Sequence, residues 1–157
     1  MIAFASNLVL AITWVVLTGT FTAVNLVAGF VLAYVVLRLT KRGSPQFDRY
    51  FSKTPKFIGF IFFFIWDLLK SNLRVAYDVI TPSHHMRPGV IGVPLDAETD
   101  AEITILANLI TVTPGTLSLD VSGDRKTLYI HAMYIDNEEE LRKDIKNLER
   151  RVIELLR

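Results

Sequence analysis

The first third of the chain is almost continuously apolar, whereas the remainder mixes apolar and polar positions. From Met1 to Leu37 the sequence holds no charged side chain, and after Thr81 charged residues recur every few positions. Two apolar runs, Ile2–Leu17 and Phe21–Leu39, are each close to the roughly 20 residues that a helix needs to cross a hydrocarbon core of about 30 Å. The pattern therefore predicts a transmembrane helical hairpin over residues 1–40.

A basic segment follows the hairpin and indicates its orientation. It carries six basic residues and one acid, namely Arg38, Lys41, Arg42, Arg49, Lys53, Lys56 and Asp48. The turn between the apolar runs, Thr18-Gly19-Thr20, carries no charge. Because basic loops are retained on the cytoplasmic side, we expect a cytoplasmic linker over residues 41–55. The first run lacks a basic region ahead of it, which favours a retained anchor over a cleaved signal peptide.

Residues 56–81 combine a short apolar stretch with polar residues at helical spacing. The apolar part, Phe57–Leu69, is short for a full span. One face of the helix is polar and carries Asp67, Lys70, Ser71, Arg74 and Asp78. Another face is apolar and carries Leu69, Leu73, Ala76 and Ile80. This pattern predicts an amphipathic helix in the membrane interface. The alternative is a third span, which would place the C-terminal domain outside.

Residues 82–157 are predicted to form a small domain. Val90–Leu95 is typical of a short strand, and Thr99 with Glu102 forms a capping box that opens a helix of about three turns. Apolar residues then alternate with polar ones, at Leu117, Leu119, Val121, Leu128, Ile130, Ala132 and Tyr134. That alternation predicts a hairpin with one buried face. With Asp136 as the cap of a last helix, the order β-α-β-β-α predicts a two-layer α+β domain, a shortened ferredoxin-like arrangement.

Composition narrows the function further. A net charge of +1 over 157 residues argues against a nucleic-acid-binding protein, which needs clustered basic residues. The absence of cysteine excludes disulfides and thiolate ligands. His84 and His85 have no further metal ligand nearby in the sequence, and His131 has no partner nucleophile. We therefore predict no catalytic, cofactor-binding or metal-binding residue.

The predicted hairpin is suited to packing rather than to ion transport. Proton and ion relays need ionisable groups at membrane depth, and the hairpin has none between its first residue and Leu37. Gly29 and Ala33 instead form a small-xxx-small pair, which permits close approach of another helix. That helix belongs either to another subunit or to the first apolar run.

Two stretches resemble the E subunit of the multisubunit Mrp-type sodium/proton antiporters. They are Leu69–Pro82, LKSNLRVAYDVITP, and Ala107–Ile135, ANLITVTPGTLSLDVSGDRKTLYIHAMYI. An apolar N-terminus followed by a small hydrophilic domain is also the architecture of that family. The resemblance implies a hetero-oligomeric antiporter of the bacterial cytoplasmic membrane that exchanges cations such as Na+ for protons. Its transport residues would lie in larger sister subunits related to respiratory complex I.

The same resemblance implies an accessory, non-enzymatic component without cofactors, whose partners are the sister subunits and the lipid bilayer. The motif positions that it offers as a docking surface are Asn108, Thr113, Pro114, Gly115 and Thr116. Two other classes of protein stay open from the residues alone. One is a membrane-anchored sensor or binding module with a cytoplasmic domain. The other is a membrane-bound enzyme with a pocket that holds His131 and a carboxylate such as Asp120.

Overall fold

The computed structural model describes residues 2–40, 43–81 and 86–157. Within these ranges the chain forms five helices and one three-stranded antiparallel sheet. The helices are α1 (Ile2–Thr18), α2 (Ala23–Thr40), α3 (Pro45–Ile80), α4 (Asp100–Val112) and α5 (Glu138–Leu156); the strands are β1 (Gly89–Pro94), β2 (Thr116–Val121) and β3 (Thr127–Ala132). The chain divides into two compact units, residues 1–58 and 59–157, and α3 contributes to both.

In the first unit, α1 and α2 form the predicted helical hairpin. Most of the residues buried in the hairpin are small, and they include Ala11 of α1 and Ala33 of α2. Asn7 is also buried, and its Nδ2 donates to the Tyr50 hydroxyl at 2.9 Å. Gly19 forms the turn with a left-handed backbone, φ +66°. Most large apolar side chains of the hairpin point outward.

Helix α3 begins at Pro45 rather than at Lys56, so most of the predicted linker is helical. Proline suits the first helical position because its missing N–H would have no partner there. The predicted helix starts at Lys56, whereas the observed helix includes Pro55, although an internal proline removes one backbone hydrogen bond. The helix nevertheless continues through it, because Phe47 and Phe51 of the preceding turns are buried against the hairpin. Lys41 and Arg42 of the linker lie outside the described residues.

The second unit has the predicted element order β-α-β-β-α. Strand β3 is central and pairs antiparallel with β1 on one side and β2 on the other. Helices α4 and α5 cover one face of this sheet. The core between them is aliphatic and consists of Ile91, Val93, Leu106, Ile110, Leu128, Ile130, Ile145 and Leu148. The predicted inward residues of β3 are therefore confirmed.

Leu117 and Leu119 of β2 face away from the core, contrary to the prediction, whereas Val121 packs against the core as predicted. Leu117 and Leu119 are 44% and 50% exposed, whereas the Ser118 hydroxyl faces α4 and donates to the Ala107 carbonyl at 3.0 Å. The register explains this outcome, because Leu117 pairs with His131, which points away from the core. Side chains opposite each other in a sheet share a face, so the leucines of β2 lie on the open side.

The N-cap of α5 also differs from the prediction. Asn137 is the cap, and its side chain accepts a backbone N–H of the first turn at 3.0 Å. Asp136 instead pairs with Arg74 of α3. The capping box of Thr99 and Glu102 at the start of α4 is present as predicted.

Candidate interaction surfaces

Helix α3 packs on the α/β domain through the face that carries its polar residues together with Phe60, Phe63 and Phe64. The Arg74 guanidinium lies 4.4 Å from the centre of the Tyr134 ring and pairs with Asp136 at the start of α5. Asp78 is only 5% exposed, and its interaction with the Tyr134 hydroxyl raises the pKa of that phenol. Charged and aromatic contacts therefore attach this part of α3 to the domain.

The other side of α3 in the second unit exposes a stripe of large apolar side chains. Its members are each at least half exposed and recur at steps of three and four; they are Phe62, Trp66, Leu69, Leu73, Tyr77 and Ile80. Water-soluble monomers rarely expose a continuous apolar surface of this kind. An amphipathic helix with one such face is typical of the membrane interface.

A cavity of about 440 Å³ lies between α3, the loop after α4, and α5. Four of the five predicted motif residues line it, namely Thr113, Pro114, Gly115 and Thr116. Helix α3 contributes Asp67, Lys70 and Arg74, and α5 contributes Asp144. Asn108, the fifth motif residue, is exposed on α4 and does not line the cavity.

The loop at residues 113–116 is held by its own hydrogen bonds. Gly115 has φ +91°, in the left-handed region that favours glycine. A Cβ at this position would lie 3.2 Å from the Tyr134 ring. The Thr116 hydroxyl lies 2.7 Å from the Ile110 carbonyl, and so helps to satisfy a carbonyl at the C-terminal end of α4. The polar groups of this loop thus serve to end the helix and form the turn.

Gly29 and Ala33 lie at the packed face between α2 and α1. Both are buried, and a Cβ added at Gly29 would lie 2.8 Å from Cδ1 of Trp14 and 3.0 Å from the Ala11 carbonyl oxygen. The sequence leaves two candidate partners for this pair, the first apolar run and another subunit. In the structure α1, which contains the first apolar run, contacts Gly29. Contact of the pair with another subunit stays a prediction.

The histidines do not form a reactive cluster in the described part of the chain. His84 and His85 lie outside the described residues. His131 pairs with Val90 and Leu117 in the sheet and does not line the cavity. Among the residues that the structure describes, no group of three or more His, Cys, Asp or Glu side chains could hold a metal ion.

A buried carboxylate in α5 was not predicted from the sequence. Glu149 is 1% exposed and accepts the backbone N–H groups of Asp96 at 2.6 Å and Ala97 at 2.9 Å. It also accepts the Lys146 ammonium at 2.6 Å. Its position within the apolar stripe of α5 was the available signal, because an acid there must be paired to be buried. Glu149 fixes the loop between β1 and α4.

Glu102 forms a second internal anchor. Its carboxylate accepts Nε of Arg157 at 2.9 Å and the backbone N–H of Glu98 at 2.9 Å. These hydrogen bonds, foremost the one from Arg157, hold the pKa of Glu102 at about 2, below its usual 4.5. The end of α5 is thereby attached to the start of α4.

Known proteins match nearly the whole chain. The family model described as MNHE, Na+/H+ ion antiporter subunit, matches residues 7–155. The chain is 37% identical over 150 residues to the Na+/H+ antiporter E subunit of Alkalihalophilus pseudofirmus, covering 95% of this chain and 94% of the relative. It is 38% identical over 141 residues to the Na+/H+ antiporter E subunit of Bacillus subtilis, covering 89% of this chain and 88% of the relative.

Two solved structures contain similar chains. One is the Mrp complex from a Dietzia species, with a TM-score of 0.50 and 28% identity, covering 64% of this chain and 96% of that chain. The other is the membrane-bound sulfane sulfur reductase, an archaeal respiratory membrane complex, with a TM-score of 0.55 and 27% identity, covering 96% of this chain and 98% of that chain. Both matched chains are components of larger complexes.

Proposed function

Since the chain belongs to the family of Na+/H+ antiporter E subunits and is a component of the Mrp multisubunit antiporter complex of the bacterial membrane, we propose that it has an accessory role and supports assembly and stability of that complex. Its partners are the other subunits. Its relatives in Alkalihalophilus and Bacillus are subunits of a Na+/H+ antiporter, and we propose that this chain is likewise part of a transporter rather than an enzyme.

The distribution of charge in the hairpin carries this proposal. Between residues 2 and 37 there is no Asp, Glu, Lys, Arg or His, so these helices hold none of the groups that usually relay protons or coordinate cations inside a membrane. The buried residues of the hairpin are all uncharged, namely Ala3, Asn7, Ala11, Val15, Gly29, Ala33 and Leu37. A subunit of this composition supports its neighbours by packing.

We further propose that α1 and α2 both cross the membrane and that α3 lies in its interface. Among the described helices, only α2 is both long and apolar enough for a span by length and composition, while α1 is apolar with 17 residues. Seventeen residues is the lower end of the range for a transmembrane helix. The exposed apolar stripe of α3 supports an interfacial position.

The basic residues after α2 favour a cytoplasmic location for the α/β domain. Its sheet order, β1-β3-β2 with two helices over one face, supports the shortened ferredoxin-like arrangement. Reporter fusions after Arg157 test the location. We expect a fluorescent cytoplasmic fusion and an inactive periplasmic phosphatase fusion, and the opposite pair of results would contradict the two-span topology.

The accessory role is tested by separating assembly from transport. In cells that lack this chain, we expect tagged sister subunits to lose recovery of their partners in mild detergent, and the wild-type chain to restore it. Reconstituted alone in liposomes, the chain should produce no sodium-dependent pH change. A pH change above that of protein-free liposomes would contradict the accessory role.

A further inference from the structure

We propose that the first turns of α3, together with Arg38 of α2, form a binding surface for the headgroups of anionic phospholipids. The proposal rests on the membrane placement of the hairpin given above. All the residues that form this surface belong to the first unit, so their arrangement is internal to one compact body. The partner is identified by its chemistry, a phosphate-bearing headgroup of net negative charge.

The basic residues of α3 lie on one side of the helix. Arg49, Lys53 and Lys56 follow each other at steps of four and three, the spacing that places side chains on one helical face. Arg49 and Lys56 are exposed and Lys53 is partly exposed. The single acid of this segment, Asp48, lies in the first turn. The surface therefore has a net positive charge.

The opposite side of the same turns is fixed against the hairpin. Phe47 and Phe51 are buried in a cluster with Ala3 at the start of α1 and Leu37 at the end of α2. Because Phe47 and Phe51 lie on the opposite helical face from the basic residues, the cations point away from the hairpin. Packing thus holds the basic stripe beside the end of the hairpin that also carries Arg38.

Aromatic side chains indicate the depth of this end in the membrane. The Tyr34 ring centre lies 5.9 Å from that of Tyr50 and 5.1 Å from that of Phe51. The Tyr34 hydroxyl lies 3.5 Å from a guanidinium nitrogen of Arg38. Tyrosine is enriched where hydrocarbon meets headgroups, and basic residues at that level attract the anionic lipids of the cytoplasmic leaflet. The aromatic cluster therefore places the cations at phosphate level.

The other end of the hairpin lacks this chemistry. There Asn25 Nδ2 donates to Thr18 Oγ1 at 2.7 Å and to the Thr20 carbonyl at 2.8 Å, and Asn25 Oδ1 accepts the Trp14 indole N–H at 3.0 Å. These groups are neutral and satisfy one another. Anionic headgroups therefore have a complementary surface at one end of the hairpin only.

The test measures lipid binding to the full chain purified in neutral detergent. Phosphatidylglycerol and phosphatidylcholine with identical acyl chains are titrated separately, and bound lipid is counted by native mass spectrometry. We expect clear preference for phosphatidylglycerol, weakening as salt rises. The triple variant Arg49→Gln, Lys53→Gln and Lys56→Gln should bind it more weakly by about fivefold for each charge removed.

A matched triple variant in the α/β domain controls for net charge. Lys126, Lys143 and Arg150 are exposed, and changing all three to Gln removes the same charge while leaving lipid preference unchanged. If the triple variant in α3 melts below wild type, Arg38→Gln on α2 provides a separate measurement, with an expected loss of about fivefold.

Three outcomes would overturn the proposal. They are equal binding of the two lipids by wild type, an equal loss in the control variant, and saturation of the effect by soluble glycerol phosphate, which would identify a free phosphate site. Failure of the underlying membrane placement has a different signature. In that case alkaline carbonate would release the chain from membranes, whichever lipid it prefers.

Discussion

The α/β domain and the helical hairpin distribute their side chains in opposite ways. The core of the α/β domain is built from large aliphatic side chains, and Leu106 and Ile130 are fully buried. In the hairpin unit Ala11 and Asn7 are fully buried while Leu17 is 79% exposed. In water the hydrophobic effect drives large apolar groups inward, whereas helices in lipid associate through close packing and hydrogen bonds. A leucine buried in the α/β core therefore contributes more to folding stability than a leucine exposed on the hairpin.

The largest expected effect comes from shortening a leucine in each unit. Leu106→Ala should destabilise the domain by about 3 kcal/mol, because it leaves a cavity in a closed core. Leu17→Ala should cost less than about 0.5 kcal/mol, as is usual for exposed positions. Urea unfolding of the full chain in detergent measures both. Equal losses would show that the two units do not differ in this way.

Removing the buried charge in α5 should have the next largest effect. Glu149→Gln replaces an ionised acceptor of two backbone N–H groups and one ammonium, so we expect a loss of about 2 kcal/mol. Hydrogen exchange should rise at the amides of Asp96 and Ala97. Glu154→Gln, an exposed change on the same helix, is the control, and matching exchange rates in the two variants would contradict this role.

Gly29→Leu tests the close packing of the hairpin. A side chain at this position would collide with Trp14 and the Ala11 carbonyl, and overpacking of this kind costs about 1–3 kcal/mol. Leucine is more apolar than glycine, so membrane insertion should be undiminished. We therefore expect normal abundance in membranes and reduced recovery of sister subunits. Val35→Leu is the control, since Val35 is exposed on the same helix; equal recovery in the two variants would contradict the prediction.

The smallest effect is a pH dependence at Glu102. Its pKa is about 2, against the usual 4.5, so the folded chain binds this proton more weakly than the unfolded chain does. The bond to Arg157 therefore contributes stability above about pH 4.5 and loses it as the pH falls towards 2. Arg157→Gln should lower Tm by a few degrees at pH 7, with the difference vanishing near pH 2. A difference that is constant across this range would exclude Glu102 as its source.

Local signals allowed much of this fold to be predicted. The hairpin follows from length and apolarity, and the start of α4 follows from the capping box of Thr99 and Glu102. The outward position of Leu117 and Leu119 could not be predicted, because it depends on pairing with β3 through a bulge between Ser118 and Asp120, after which Val121 faces the core. The start of α3 was missed because residues 41–55 were assigned to a linker from their charge, whereas burial of Phe47 and Phe51 makes most of this segment helical.

The candidate surfaces were predictable to a lesser extent. Short motifs indicated the loop at residues 113–116, yet its cavity also needs α3 and α5, which are distant in sequence. The apolar stripe of α3 was visible as periodicity. The packing of its polar residues on the domain could not be predicted in the same way, because the contact of Arg74 with Tyr134 and Asp136 joins residues far apart in the chain.

Gly115 is constrained twice, by its backbone angle of +91° and by the nearby ring of Tyr134. A mutation that shrinks the side chain at position 134 would relieve only the second constraint, since the backbone angle by itself disfavours any side chain. Over evolutionary time we therefore expect position 115 to stay glycine while position 134 drifts in size. A position that never varies in an alignment shows no correlated changes with any other position. Methods that infer contacts from paired substitutions would therefore miss the contact between residues 115 and 134, although the two residues lie side by side.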